Sequence, residues 1–206
     1  YTLAREAILI EREKCGEFGG VQDQIAAAYG GFNRINFSSD SYEVIPLDIA
    51  AEKKKKLNDN LMLFFTGFTR ISADIQKEAK PVSEKEKELC QMLALVDDAQ
   101  RILTDGDPDD FGRLLDVTWK LKRQTGSNIS TSRIDTYYEK ALKAGAFGGK
   151  LLGAGGGGFL LFYVPRERRK EVFNAMSDLL YIPFEFTDKG SEIIYETAET
   201  YSFREC

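Results

Sequence analysis

The chain has 206 residues, 43% hydrophobic and 30% charged, with 28 basic against 33 acidic side chains and no histidine. That length is enough for one or two domains with a buried core. Without histidine, Ser-His-Asp and Cys-His sites and His-ligated metal centres are excluded, so a general base must be a carboxylate, Lys, Tyr or Cys. The net charge of −5 argues against a nucleic-acid partner, which calls for a basic surplus.

Cys15, Cys90 and Cys206 are far apart, odd in number and form no CxxC pair, which fits a reducing cytosol. No stretch approaches the ~20 apolar residues that a helical membrane span needs. The chain starts without Met and inside a helical pattern: Tyr1–Lys14 alternates charged and apolar residues, unlike a signal peptide, and reads as part of a longer protein.

The spacing predicts a helix over 2–14 with Leu3, Ala7 and Ile10 inward, ended by Gly16, Gly19 and Gly20. A short helix fits Gln22–Tyr29, closed by Gly30-Gly31, and extended segments follow at 32–38 and 42–48. Lys53–Lys56 reads as the solvated face of a linker helix over 50–60, with a boundary between residues 1–57 and 58–206. Leu61–Phe65 is a predicted buried strand and Ser72–Ala79 a helix. Ser83 with Glu86 has the form of a capping box, ahead of an apolar stripe of Leu89, Met92, Leu93, Val96 and Leu103.

Asp107-Pro108 is a strong helix start, with Phe111, Leu114, Leu115, Thr118 and Leu121 on the predicted buried face. Another helix follows Ser130–Ser132, with Ile134, Tyr138, Ala141 and Leu142 facing in. Phe159–Val164 is a second apolar strand. Pro165 opens a helix carrying Val172, Phe173, Met176 and Leu180. Ile182, Phe184 and Phe186 alternate as a strand, and Glu192–Tyr195 is predicted as one more. Strand, several helices, strand, helix, strand is the order of an α+β fold with a mostly antiparallel sheet of the split βαβ kind.

Three segments carry candidate chemistry. Gly153-Ala154-Gly155-Gly156-Gly157-Gly158 has five glycines in six positions between two apolar strands. Close backbone approach to a ligand, or a loop of exposed N–H groups, would explain the missing side chains. A flexible hairpin loop is the alternative. A strand rather than a helix follows, so it is neither a P-loop nor a dinucleotide fingerprint. In Gly19-Gly20-Val21-Gln22-Asp23-Gln24, Asp23 is either a first-turn acid that complements the helix dipole or a positioned general base flanked by two amides. Thr66-Gly67-Phe68-Thr69-Arg70 follows a strand, where ligands often bind, and Arg70 can clamp a phosphate. Arg123, Arg133 and Lys150 are the other basic residues near loop signals, each otherwise a surface charge.

Together these segments resemble the GHMP family of small-molecule kinases. Lys150-Leu151-Leu152-Gly153-Ala154-Gly155-Gly156-Gly157-Gly158-Phe159 resembles the family's third glycine motif, and Gly20-Val21-Gln22-Asp23-Gln24 the segment bearing its catalytic aspartate. FGGVQDQIAAAYGGFN, LFFTGFTR and GGKLLGAGGGGFLLFY look most like the D-glycero-D-manno-heptose 7-phosphate kinases, with the GHMP portion of fucose kinases next. The first motif, and the second, which wraps the ATP phosphates, are absent. The resemblance implies a two-domain GHMP architecture: a partial N-terminal domain over 1–57 and a ferredoxin-like C-terminal domain with extra helices over 58–206.

It also implies a cytoplasmic, ATP- and Mg²⁺-dependent kinase that phosphorylates the anomeric hydroxyl of a sugar phosphate, a heptose 7-phosphate first, with a fucokinase- or galactokinase-like sugar kinase as the alternative; the Mg²⁺ ligands are expected outside this chain, and no nucleic-acid or membrane partner is implied. Asp23 would be catalytic. Gln22, Gln24, Thr66, Arg70 and Arg133 would bind substrate, and Gly153, Ala154, Gly155, Gly156 and Gly157 would support the phosphates. The 206 residues alone are expected to be inactive. Two non-enzyme alternatives are a catalytically dead relative used as a binding module, and a structural ferredoxin-like domain.

Overall fold

The computed structural model describes residues 2–16, 20–68, 81–153 and 155–195. Helix α1 (Thr2–Leu9) runs on into a π-helical turn, Ile10–Lys14, and stops at Cys15. Its buried residue is Ala4, whereas Leu3, Leu9 and Ile10 are exposed. The inward face is therefore turned from the expected Leu3–Ala7–Ile10 line, because α1 meets helix α2 (Gln22–Tyr29) through its small residues. On α2 only Ile25 is buried. Strands β1 (Asn33–Phe37) and β2 (Tyr42–Pro46) form an antiparallel hairpin in the register Phe37↔Tyr42. Helix α3 (Ala51–Asn60) leads directly into β3 (Leu61–Phe65).

The rest of the chain continues with α4 (Val82–Thr104), α5 (Pro108–Gln124), α6 (Ser132–Lys143), β4 (Gly148–Leu151) and β5 (Phe159–Tyr163). A short 3₁₀ turn at Arg166–Arg168, α7 (Arg169–Ala175) and β6 (Leu180–Ile182) complete it. The four-stranded sheet has the order β4-β5-β3-β6 with every pair antiparallel. Here β3 lies between β5 and β6, so the helical crossovers each skip one strand. This is the split βαβ arrangement that the element order predicts. β3 and β5 are the two central strands and carry near-continuous apolar runs.

Several boundaries depart from the sequence expectation. Helix α4 begins at Val82, with Pro81 in extended backbone before it and no side-chain cap. Ser83 is already helical and so cannot act as the cap of a capping box. The half-buried line of α4 runs through Met92, Leu95, Ala99 and Ile102 down to buried Leu103, while Leu89, Leu93 and Val96 are exposed. In α5 the buried line is Pro108, Gly112, Leu115 and Trp119, and the expected Phe111, Leu114, Thr118 and Leu121 lie beside it, half-buried. Helix α7 ends at Ala175, so Leu180 belongs to a strand. β6 ends before Pro183. Phe184 and Phe186 pack into the core from irregular backbone, and Glu192–Tyr195 is exposed and forms no strand. The helix expected at Ser72–Ala79 lies outside the described residues.

Helix α5 lies directly on the sheet because glycines remove the side chains between them. A Cβ on Gly112 would stand 2.5 Å from the Tyr163 ring. One on Gly148 would meet the Gly112 carbonyl closer than any Cβ can stand. Trp119, wholly buried, joins Met62, Phe64, Leu151, Leu160 and Phe162 in the larger core. A second core of Leu57, Leu61, Leu103, Leu115 and Tyr163 gathers Phe32, Leu47 and Ile49 from the N-terminal segments.

The Lys-rich stretch of α3 is less free than its composition suggests. Lys53 donates to the carbonyl of Thr104 at the end of α4 (2.6 Å), a favourable place for a cation. Lys54 pairs with Asp188, and Lys55 with Asp59. Lys56 pairs with Asp107 and Asp109 at the start of α5 (2.6 and 2.9 Å), which raises its pKa; the Asp109 backbone amide, with Lys56, lowers that of Asp107.

Candidate active site

Asp23 sits in the first turn of α2, exposed, after Val21 as an uncapped helix start. The other end of α2 is clamped. The segment around Gly190 crosses it so closely that a Cβ on Gly190 would collide with the Ala28 carbonyl, and one on Gly30 with the Gly190 amide. Ser191 donates from both its amide (2.9 Å) and its hydroxyl (3.0 Å) to the Ala27 carbonyl. On the α1 side, the Gln24 side-chain amide donates to Glu11, and its carbonyl oxygen is buried with no hydrogen-bond partner. Gln22 is exposed and folds back beside Gly20.

The glycine loop joins β4 to β5. Gly153, Gly155, Gly156 and Gly158 all have φ between +73° and +119°, the left-handed region that side chains resist. A Cβ at Gly155 would stand 2.9 Å from the Ile129 carbonyl, and one at Gly157 would stand 2.8 Å from Phe68. The loop is therefore wedged between the α5–α6 connection and the end of β3. The amide of Gly156 donates to Ile129 (3.0 Å) and that of Gly158 to Phe68 (2.8 Å). The amides of Gly153, Gly155 and Gly157 bond to no described residue.

Two lysines meet this loop on the side of Asp23. Lys122, in the last turn of α5, donates to the Gly153 carbonyl (2.6 Å). Burial, with the Lys150 charge beside it, lowers its pKa to about 8, and Asp23 acts in the opposite direction from within electrostatic reach. Lys150, on β4, is also half-buried, and burial lowers its pKa too. Its ammonium makes no hydrogen bond or ion pair among the described residues. The result is a carboxylate, two partly desolvated ammonium groups and three unengaged amides around one loop. Such a set can accept a proton and hold anionic oxygen.

The other candidates fall elsewhere around the loop. Thr66 is wholly buried; its hydroxyl accepts from the Gly158 amide (3.1 Å) and lies within bonding distance of the Phe68 and Gly158 carbonyls. It anchors the loop to β3 and presents no surface to a substrate. Arg133 is exposed, its guanidinium stacked over Phe68 (5.0 Å) and near Tyr137 (5.9 Å). Arg123 pairs with Asp135 (3.1 Å) against Trp119. Arg70 and Ala154 lie outside the described residues. Sequence reasoning missed Lys122, which reads as an ordinary cation near a helix C-terminus, and Gly190, which reads as an ordinary turn glycine.

Comparison with known proteins bears on the fold and the family. Residues 94–182 match the family model described as GHMP kinases C terminal. The chain is 34% identical over 196 residues to a D-glycero-alpha-D-manno-heptose 7-phosphate kinase of Campylobacter jejuni, covering 92% of this chain and 58% of that protein. A crystal structure of a D-glycero-D-manno-heptose 1-phosphate kinase from Bacteriodes thetaiotaomicron superposes with a TM-score of 0.66 at 30% identity, covering 93% of this chain and 55% of that one. A bifunctional fucokinase/GDP-fucose pyrophosphorylase of Arabidopsis thaliana is 27% identical over 183 residues, 83% of this chain and 17% of that protein. The chain thus spans a little over half the length of the heptose kinases it matches. Its sheet order, its glycine loop and these relatives together lead to one conclusion: the chain carries the C-terminal domain of the GHMP kinases and has the fold of that family.

Proposed function

We propose that the protein is an ATP-dependent sugar kinase that phosphorylates the anomeric hydroxyl of a sugar phosphate, with D-glycero-D-manno-heptose 7-phosphate as the first candidate. The observation that carries this reading is the glycine loop met by Lys122, with Asp23 in electrostatic reach of that lysine, in a chain similar to a heptose 7-phosphate kinase. Asp23 accepts the hydroxyl proton as the sugar oxygen attacks the γ-phosphorus. The bond to the bridging oxygen then breaks and ADP leaves. The glycine loop, held by Ile129, Phe68 and Thr66, supports the phosphate region with its unengaged amides. Gln22 and Gln24 flank Asp23 and orient the sugar; Arg133, stacked over Phe68 beside the loop, contributes to binding of the substrate's phosphate, a role the sequence also suggests for Arg70. Residues 1–57 contribute Asp23 and residues 58–206 the loop, in the two-domain division proposed for the chain. Use of ATP fits a cytoplasmic site of action.

Mg²⁺ is implied by the family resemblance. Among the described residues no three acidic, His or Cys side chains converge, and the groups beside Asp23 are cationic. The described residues bring together no Mg²⁺ ligand set, so no step here runs through the metal.

The test is ATP-dependent phosphorylation by the full-length protein over a panel of sugars and sugar phosphates. Heptose 7-phosphate is expected to be turned over best. The likeness to the fucokinase supports fucose as the next sugar to try. Asp23→Asn should lower kcat by about 10²–10⁴-fold with KM little changed, the range for removing a general base. Near-normal turnover by that variant would reject the role of Asp23.

A further inference from the structure

We propose that Lys122 and Lys150 together form a binding site for a phosphate group. Lys122 and Lys150 are both half-buried, and Lys122 bonds the carbonyl of Gly153, three residues beyond Lys150 on the same strand and loop. The Lys150 charge adds to burial in disfavouring the charged form of Lys122, and the carboxylate that acts on Lys122, Asp23, is itself exposed. Lys122 is bonded only to a neutral carbonyl, that of Gly153. Lys150 has no polar partner among the described residues. Burying positive charge without compensation is unfavourable, and a side chain retained in that state points to an anion that completes it. The neighbouring lysine shows the contrast: Lys120, one helical step or two away and facing outward, is paired with Asp116 (2.6 Å).

The position also fits phosphate. Lys150 is on the same face of β4 as Gly148, the face that α5 covers. The strand then runs into Gly153, three residues on, whose carbonyl meets Lys122 at the end of α5. The unengaged amides of Gly153 and Gly155 belong to the same loop and add neutral donors. Two flexible ammonium groups with backbone amides can surround a tetrahedral dianion without demanding planar, bidentate geometry. Which phosphate it holds, the substrate's own or the one being transferred, rests on the kinase reading.

The experiment titrates the full-length protein with inorganic phosphate by calorimetry. Lys150→Met and Lys122→Met should each weaken binding about tenfold or more, as expected for losing a charged hydrogen-bond donor, and Lys150→Arg should retain most of the affinity. Lys150→Met should unfold at the same or higher denaturant concentration, because it removes a desolvated charge, so lost binding by that variant is not lost folding. Unchanged affinity in both Met variants, or no phosphate binding by the wild type, overturns the site.

Turnover separates the two sources. A KM that rises in Lys150→Met only for the phosphorylated sugar assigns the substrate's phosphate, whereas a kcat that falls for phosphorylated and plain sugar alike assigns the transferred group. A protein that binds phosphate through the pair yet phosphorylates no sugar defeats the kinase reading and leaves the site. A kinase whose Met variants bind phosphate normally defeats the site and leaves the kinase.

Discussion

The two sides of the candidate site are built differently. Among the described residues before α3, only Ala4 and Ile25 are buried, and Asp23 stands on that part of the chain. The lysines and the glycine loop stand on the sheet and on α5, around Trp119, Phe64, Leu160 and Phe162, all at or below 1% exposure. The anion-binding side is thus held by a packed core. The carboxylate side rests on half-buried Phe32, Leu47 and Ile49 at the margin of the second core and on a few crossings: Gly190 against α2, Gln24 with Glu11, and Arg34 of the hairpin with Asp97 and Gln100 of α4 (2.6 and 2.9 Å). Packing resists displacement in every direction, whereas a backbone crossing fixes one point. The carboxylate therefore depends on contacts far from the chemistry.

That contrast is open to direct attack. The largest effect should come from Trp119→Ala, expected to destabilise by about 3–5 kcal/mol in urea unfolding, as for other large core truncations. A loss of under about 1 kcal/mol, a cost typical of surface sites, would break the claim that the loop rests on a tight core. Next is Gly190→Ala, whose Cβ meets backbone rather than a flexible side chain. We expect about 1–3 kcal/mol of strain, relieved by moving α2, so kcat should fall while phosphate binding at the lysines stays near wild type. Equal losses of both would mean that the two sides are one unit.

The third test is pH. Lys122 titrates near 8 in the folded chain against 10.5 ordinarily, and Lys150 and Asp23 are the charged groups that face it. Between those values the unfolded chain holds a proton that the folded chain has released. Wild-type stability should therefore rise with pH across that window relative to Lys122→Met, and the difference should be flat below about 8. A difference that falls with pH there would contradict the burial of Lys122. The smallest effect belongs to Leu93→Ala on the exposed face of α4 (68% exposed), within about 0.5 kcal/mol.

Much of the fold was legible from the chain. The apolar runs of β3 and β5 are too short for helices and too continuous for half-exposed strands, so their central place in the sheet follows from composition. Asp107-Pro108 marks the start of α5, and the Asp107 carboxylate does accept from the Asp109 amide (3.0 Å). Helical faces were read less well. In α5 the spacing favoured Leu114 and Leu121, yet the helix turns Gly112 to the sheet, because only glycine lets its backbone approach Tyr163. A periodicity count gives glycine no weight, so it misses close packing.

The candidate site divides along the same line. The glycine run and Asp23 were visible as local patterns, because positive φ and a helix start are local demands on the chain. Lys150 was visible as a cation at the head of the glycine motif, but Lys122 was not, since nothing near it in sequence sets it apart from a surface cation. What distinguishes both is burial, which arises only when α5 closes onto β4. By itself the sequence determined most of the helices, the two central strands, the split βαβ class and the two motifs, each a consequence of short-range sterics and hydrophobic patterning. Only the tertiary structure decided which charges share a desolvated space, because electrostatic environment depends on what folding brings together and what it takes out of water.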